Sequence, residues 1–246
     1  MGLAVKELSE FGKAPRKEPK IYPGLRPDFS YLLHGGKVYE LRVFGKVDSS
    51  QVDFGGRSRV LSEVLAEIGH PPVSDCFGVV AHGSNASPAQ LALKGFDTAI
   101  VLKCRIFDTA PVLAGYESKY GYVPSTLARM KGQESIIYLN ILSEEGLRKM
   151  DRTEGRGRDY DLVELQEGKV FLETGRDVNP AYAYVTSDER GLFLKNGAPM
   201  LLEQVPQEKA VAMVKKGGLP VGKSSIWLKM RPIKGIPEKR LVDQFK

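Results

Sequence analysis

The stretch from Cys76 to Gln90, Cys-Phe-Gly-Val-Val-Ala-His-Gly-Ser-Asn-Ala-Ser-Pro-Ala-Gln, constrains the fold of this chain more than any other. Phe77 to Ala81 is an apolar run of strand length that breaks at a glycine-containing turn. Ser87 suits a helix N-cap, Pro88 the first helical position and Gln90 the third position of a capping box. Leu91 and Leu93 anchor a short helix, which Gly95 stops. The order is buried strand, turn, helix, and the turn must sit at the end of a strand on the rim of a core. A strand that turns at once into a helix leaves the first helical N–H groups unpaired beside the positive end of the helix dipole. The loop His82-Gly83-Ser84-Asn85-Ala86 therefore reads as a cradle for an anion. Gly83 lets backbone approach a ligand closely, and Ser84 and Asn85 add donors and acceptors. The same Gly-Ser-Asn is also ordinary turn chemistry, with side chains bonding their own backbone. Ser84 reads poorly as a nucleophile, because His82 is only two residues away and no Gly-x-Ser-x-Gly elbow is present.

Around this segment the pattern alternates strands with few long helices. Tyr31 to Leu33 and Val38 to Val43, separated by His34-Gly35-Gly36-Lys37, form a hairpin. A helix follows, capped by Ser58, with Leu61, Val64, Leu65 and Ile68 on one stripe and Gly69 as its stop. Strands are expected at Thr98 to Phe107, Ser135 to Leu142, Tyr160 to Leu165, Lys169 to Leu172 and Ala181 to Val185. No internal repeat is present. This is an α+β reading, a small mixed β-barrel or curled sheet with a few short helices. Residues 1 to 25, rich in Lys, Glu and Pro, suit a loosely held arm. The organisation is an extension over residues 1–75, a core over 76–190 and a basic extension over 191–246.

A second chemical feature lies in Ser143 to Gly155. Ser143 caps a helix that carries Glu144 and Glu145 in its first turn and stops at Gly155. Leu147, Met150, Asp151 and Glu154 are spaced i, i+3, i+4, i+7, which turns Glu154 inward with the apolar pair. Burial and the negative helix end both disfavour a carboxylate, so its pKa is expected to rise toward the range of a general base. The alternative is a structural salt bridge from Arg152, Arg156 or Arg158.

Charge and composition exclude several classes. Residues 191 to 246 carry eleven Lys/Arg against four Asp/Glu, 11 − 4 = +7, while the whole chain is +6. That tail lacks interleaved aromatics and any recognition motif, so it reads as a solvated basic face and not as a nucleic-acid surface. No apolar run approaches the roughly 20 residues of a membrane span, and no signal-peptide order is seen, so a cytoplasmic protein with no membrane partner is expected. Cys76 and Cys104, both in strand-like runs, read as buried free thiols. His34, His70 and His82 show no metal-ligand spacing. Gly217 to Ser224 matches the phosphate-loop pattern, but Pro206 to Lys216 before it reads as a helix and Ser225 to Leu228 after it as a strand, the reverse of what that motif needs.

Taken together, the segments resemble the γ-glutamylcyclotransferase-like family. Its Tyr-Gly-Ser-Asn loop corresponds to His82-Gly83-Ser84-Asn85, its Leu-Asp-x-x-Glu-Gly-like motif to Met150-Asp151-Arg152-Thr153-Glu154-Gly155, and its following Tyr to Tyr160 ahead of Leu162 to Leu165. Val123-Pro124-Ser125-Thr126 is also similar to the family's stretch before the strand that leads to the Glu helix. The match spans about residues 76 to 190. The resemblance implies a small barrel-like α+β fold, without metal or organic cofactor, that cleaves a γ-glutamyl amide. The substrate's α-amine attacks its own γ-carbonyl and releases 5-oxoproline and an amine, with Glu154 as general acid/base. His82, Gly83, Ser84, Asn85, Ala86 and Tyr160 would line and hold the small-molecule γ-glutamyl substrate. His82 departs from the family's Tyr and could bring a charge near neutral pH. That departure and the long extensions leave a second reading open, a catalytically silent member of the fold that binds a small ligand or a protein.

Overall fold

The computed structural model describes residues 2–166, 168–216, 221–223 and 232–241. In chain order the elements are β1 (Val5–Glu7), β2 (Tyr31–His34), β3 (Lys37–Phe44), β4 (Lys46–Asp53), β5 (Ser58–Val60), α1 (Leu61–Glu67), β6 (Phe77–Ala81), α2 (Pro88–Leu93), β7 (Thr98–Leu113), β8 (Ser125–Leu142), α3 (Glu144–Glu154), β9 (Tyr160–Glu164), β10 (Val170–Leu172), β11 (Tyr182–Thr186), β12 (Leu192–Lys195), β13 (Ala198–Pro199), α4 (Gln207–Lys215) and β14 (Val221–Gly222). Most belong to one sheet of order β5-β4-β3-β2-β7-β8-β6-β11-β9, with β1 on β3 and β10 on β7. Among the named pairs only β6 and β11 run parallel.

Alternation along the central strands explains a sheet buried on both faces. Ile100, Leu102, Cys104 and Ile106 of β7 join Ile137, Leu139 and Ile141 of β8 on one face, where α1 adds Leu61, Val64 and Leu65. Ala99 and Val101 with Phe77, Val79 and Tyr138 fill the other face, covered by Leu91 of α2 and by Leu147 and Met150 of α3. Cys76 and Cys104 are buried free thiols, and burial pushes Cys76 up to about 12. The β2–β3 hairpin turns at Gly35 and Gly36, whose φ of +54° and +76° demand glycine.

The architecture is mixed α+β with a large sheet, and no closed barrel is found among the described residues. One edge of β7 is shared by β2, which leads outward to β3, β4 and β5, and by β10, which folds back against Cys104 to Ile106. The wing beyond β2 keeps the sheet open. Residues before position 76 thus supply five strands to the main sheet.

Several local expectations are corrected. The described part of the expected loose arm, residues 2–25, is packed: Phe11, Ala14 and Tyr22 are buried, and the α2-side core receives the first two. Lys, Glu and Pro set the composition there, but three apolar anchors decide the packing. The helix expected from Ser58 starts at Leu61, because Ser58 to Val60 pair with β4. The capping box at Ser87 does not form. Gln90 Oε1 accepts from the amide of Arg16 at 3.3 Å, and the buried Ser87 hydroxyl has no hydrogen-bond partner among the described residues. Strand β8 begins ten residues before the expected Ser135. Helix α3 follows its pattern closely: Ser143 Oγ accepts from the Gly146 amide at 3.1 Å, and Gly155 ends it at φ +64°. Helix α4 precedes the phosphate-loop pattern where a strand is required. Residues 217–220 and 224–231, which hold most of that pattern and the expected strand at Ser225 to Leu228, lie outside the described residues.

A candidate active site between the Gly83 turn and Glu154

At least six segments of the chain line one cavity of about 650 Å³. The turn after β6 contributes His82, Gly83, Ser84 and Asn85, the end of α3 contributes Glu154, and the starts of β8 and β9 contribute Ser125 and Tyr160. The segment between β7 and β8 adds Tyr116, Tyr120 and Tyr122, and the arm before β2 adds Arg16 and Tyr22. The two motifs distant in sequence therefore share one wall. Ala86 does not reach that wall: it is fully buried, and its amide donates to Gly83 O at 3.4 Å.

The turn is not a helix N-terminus. Ser84 to Ala86 form a 3₁₀ turn ahead of α2, and α2 is only six residues long. The helix-dipole argument for the cradle fails on that geometry. What remains are the amides of Gly83, Ser84 and Asn85, which have no hydrogen-bond partner among the described residues. A Cβ on Gly83 would overlap both the Ser125 Oγ and the Tyr22 hydroxyl, so glycine is required there by close approach.

His82 is held from both nitrogens. Its Nε2–H donates to the Tyr184 carbonyl at 2.7 Å, and its Nδ1 accepts from Ser125 Oγ at 2.8 Å. Ser125 Oγ in turn accepts from the Tyr22 hydroxyl at 3.0 Å. Every donor in this chain has an acceptor only when His82 is neutral, and burial holds its pKa below the ordinary 6.5. The charge near neutral pH expected from a histidine at this position is absent. Its nitrogens also serve Ser125 and Tyr184 and not Ser84. Tyr160 donates its hydroxyl to the Ser125 carbonyl at 2.9 Å, so it braces the wall through backbone.

Glu154 faces inward as its spacing implies, with 13% of its side chain exposed. Its partner is Lys94, the residue that ends α2, whose side chain is 1% exposed. The Lys94 ammonium donates to Glu154 Oε1 and, at 2.5 Å, to Asn85 Oδ1, and its nitrogen lies 3.4 Å from Met150 Sδ. Arg16 Nη2 lies 4.0 Å from the same carboxylate oxygen and donates to Thr153 O at 2.7 Å. None of the three arginines proposed as partners takes that place. Arg156 pairs with Asp151 and Arg158 with Asp159, and Arg152 forms no ion pair among the described residues. Burial raises the Glu154 pKa, but the charge and hydrogen bond of Lys94, then Arg16 and a bond from Asn85, carry it below the usual carboxylate value. The expected upward shift is therefore reversed. Glu154 is an ionised carboxylate near neutral pH, the form that accepts a proton.

Lys94, Arg16 and Tyr22 escaped the sequence reading, and Ser125 entered it only within the Val123–Thr126 stretch of the resemblance, with no role at the site. Lys94 stands at the end of a short helix where a solvated cation is usual, and the others meet the site across long sequence separations. No helix is long and apolar enough to cross a membrane among the described residues.

No protein-family model matches the chain, and no curated protein matches it in sequence. Among solved structures it is similar to one described as a gamma-glutamyl cyclotransferase, at 18% identity over 69% of this chain and 98% of that one, with a TM-score of 0.41. It is also similar to an uncharacterized protein from Homo sapiens, at 19% identity over 70% and 98%, TM-score 0.42. A protein from Arabidopsis thaliana matches at 21% identity over 45% and 62%, TM-score 0.35. Likeness at this level does not reach the chemistry of the site.

Proposed function

We propose that this chain is a γ-glutamylcyclotransferase-type enzyme that cleaves a γ-glutamyl amide by cyclisation. One observation carries the reading: Glu154 and the Gly83–Asn85 amides, taken from two separate motifs of the resemblance, line the same cavity. In the reaction, Glu154 accepts a proton from the substrate's α-ammonium. The freed amine attacks the γ-carbonyl, whose oxygen gains negative charge beside the free amides of Gly83, Ser84 and Asn85. Glu154 then returns the proton to the leaving nitrogen and the C–N bond breaks; the ring nitrogen sheds its second proton to the departing amine, so 5-oxoproline and an ammonium product leave and Glu154 is again a carboxylate. Nucleophile and electrophile belong to one molecule, so folding the substrate correctly supplies several kcal/mol of the barrier. His82 and Tyr160 act here as wall residues, the first neutral and fully hydrogen-bonded, the second tied to backbone.

A binding module is the second reading, and the Lys94 contact favours it, because a carboxylate held by an ammonium is also what a purely structural pair looks like. The two separate on one assay. A panel of γ-glutamyl amides is incubated with the protein and 5-oxoproline is quantified. Release that depends on Glu154 supports the enzyme. Binding of a panel member without release selects the module.

A further inference from the structure

Among the described residues Lys94 is the one cation that touches both halves of the candidate site, yet it is not part of the cavity wall. It lies behind Glu154, and its side chain is almost wholly buried between the turn and α3. Burying an ammonium costs several kcal/mol unless its hydrogen bonds are satisfied, so such a residue persists only where its partners hold it closely. Here the partners are the proposed base and Asn85, the last residue of the amide cradle. A purely apolar filler would pack against Met150 equally well but would connect neither.

We infer that Lys94 is a positioning residue that fixes the Glu154 carboxylate against the Gly83–Asn85 turn and keeps it in its proton-accepting form. The inference rests on the proposed cyclotransferase reading for its kinetic consequence. The ammonium binds Oε1, the same oxygen that Arg16 Nη2 approaches to 4.0 Å. It also ties the rotamer of the base to the Asn85 side chain, so base and cradle move as one unit.

Other groups facing Glu154 do not duplicate this role. Arg16 approaches from the arm at 4.0 Å, beyond hydrogen-bond distance, and adds charge only. His82, after β6, is neutral. Tyr22, Tyr116, Tyr122, Tyr160 and Tyr184 are all driven upward by burial and stay protonated through the range in which a carboxylate titrates. With Lys94 gone, burial pushes Glu154 upward against only the Arg16 charge and the Asn85 hydrogen bond, so the carboxylate protonates at higher pH.

The test uses the full chain with Lys94→Met, which packs beside Met150 without charge, and Lys94→Gln, which keeps one donor and no charge. The pH dependence of kcat/KM for 5-oxoproline release is measured alongside the carboxyl ¹³C titration of Glu154, identified by its loss in Glu154→Gln. The acid limb and the Glu154 titration both move to higher pH in the two variants. In Lys94→Met kcat also falls about 10- to 100-fold, the size of a lost charge-assisted hydrogen bond, and in Lys94→Gln by less. Variants that melt earlier but keep the wild-type acid limb and Glu154 titration overturn the inference. If wild type releases no 5-oxoproline from any amide, the cyclotransferase reading fails, and the ¹³C titration still decides whether Lys94 governs Glu154. An unmoved titration refutes it in that case too.

Discussion

Tyr22 and Ser125 exchange two hydrogen bonds in the wall of the site: the Tyr22 hydroxyl donates to Ser125 Oγ at 3.0 Å, and the Ser125 amide donates to the Tyr22 oxygen at 2.8 Å. Both side chains are buried, and the pair joins the segment before β2 to the start of β8. Replacing Tyr22 with Phe leaves the Ser125 amide buried without an acceptor, a defect that costs about 1–3 kcal/mol. Urea unfolding of Tyr22→Phe should show a midpoint shift of that size at unchanged slope. A loss of less than about 0.5 kcal/mol, the scale of an ordinary surface substitution, would contradict the assignment.

Gly83 is held by space and not by a left-handed backbone. A methyl group there meets the Tyr22 hydroxyl and Ser125 Oγ, and the latter cannot retreat without breaking its bond to His82. Gly83→Ala should destabilise the fold by about 1–3 kcal/mol through overpacking. The same shift should lower 5-oxoproline release more than Ser84→Ala does, because Ser84 Oγ has no hydrogen-bond partner among the described residues. Equal stability of Gly83→Ala and wild type would show that the turn is looser than described.

His82 carries a pH signature. Its folded pKa lies below the ordinary 6.5 because burial disfavours the imidazolium, so the unfolded chain binds the extra proton first. Its contribution to stability is present above about 6.5 and is lost as pH falls through the lower folded value. His70 is shifted in the same direction and contributes in the same window, but equally in wild type and in a His82 variant. Unfolding free energy measured between pH 7.5 and pH 5 should therefore fall more steeply for wild type than for His82→Gln. Parallel curves would mean that His82 is not buried neutral.

How much of this was legible depends on how local the cause is. Helix α3 is specified within its own span, by Ser143 at one end and Gly155 at the other, and its i, i+3, i+4, i+7 spacing correctly turned Glu154 inward. The β2–β3 hairpin is likewise announced by Gly35-Gly36. The environment of Glu154 was not legible. Its pKa direction is set by Lys94, sixty positions away, and by Arg16 from the far end of the chain, and neither distance leaves a trace in a periodicity. The cradle failed for a different reason. Ser87, Pro88 and Gln90 form a good local helix start, and Pro88 does open α2, but the amide of Arg16 claims the Gln90 side chain and a 3₁₀ turn separates the loop from the helix. Strand β4 hid because Lys46, Asp48, Ser49 and Ser50 dilute its apolar alternation to Val47 and Val52.

The account stands or falls on Glu154 acting on a ligand in the cavity it shares with the Gly83 turn. The direct measurement is kcat for 5-oxoproline release from the best γ-glutamyl amide by wild type and by Glu154→Gln, with melting temperature recorded for both. The account predicts stoichiometric 5-oxoproline and amine from wild type, and a loss of about 10²- to 10⁴-fold in the variant, the usual worth of a general acid/base, while the variant stays folded. Release at the same rate from a folded Glu154→Gln protein would contradict it.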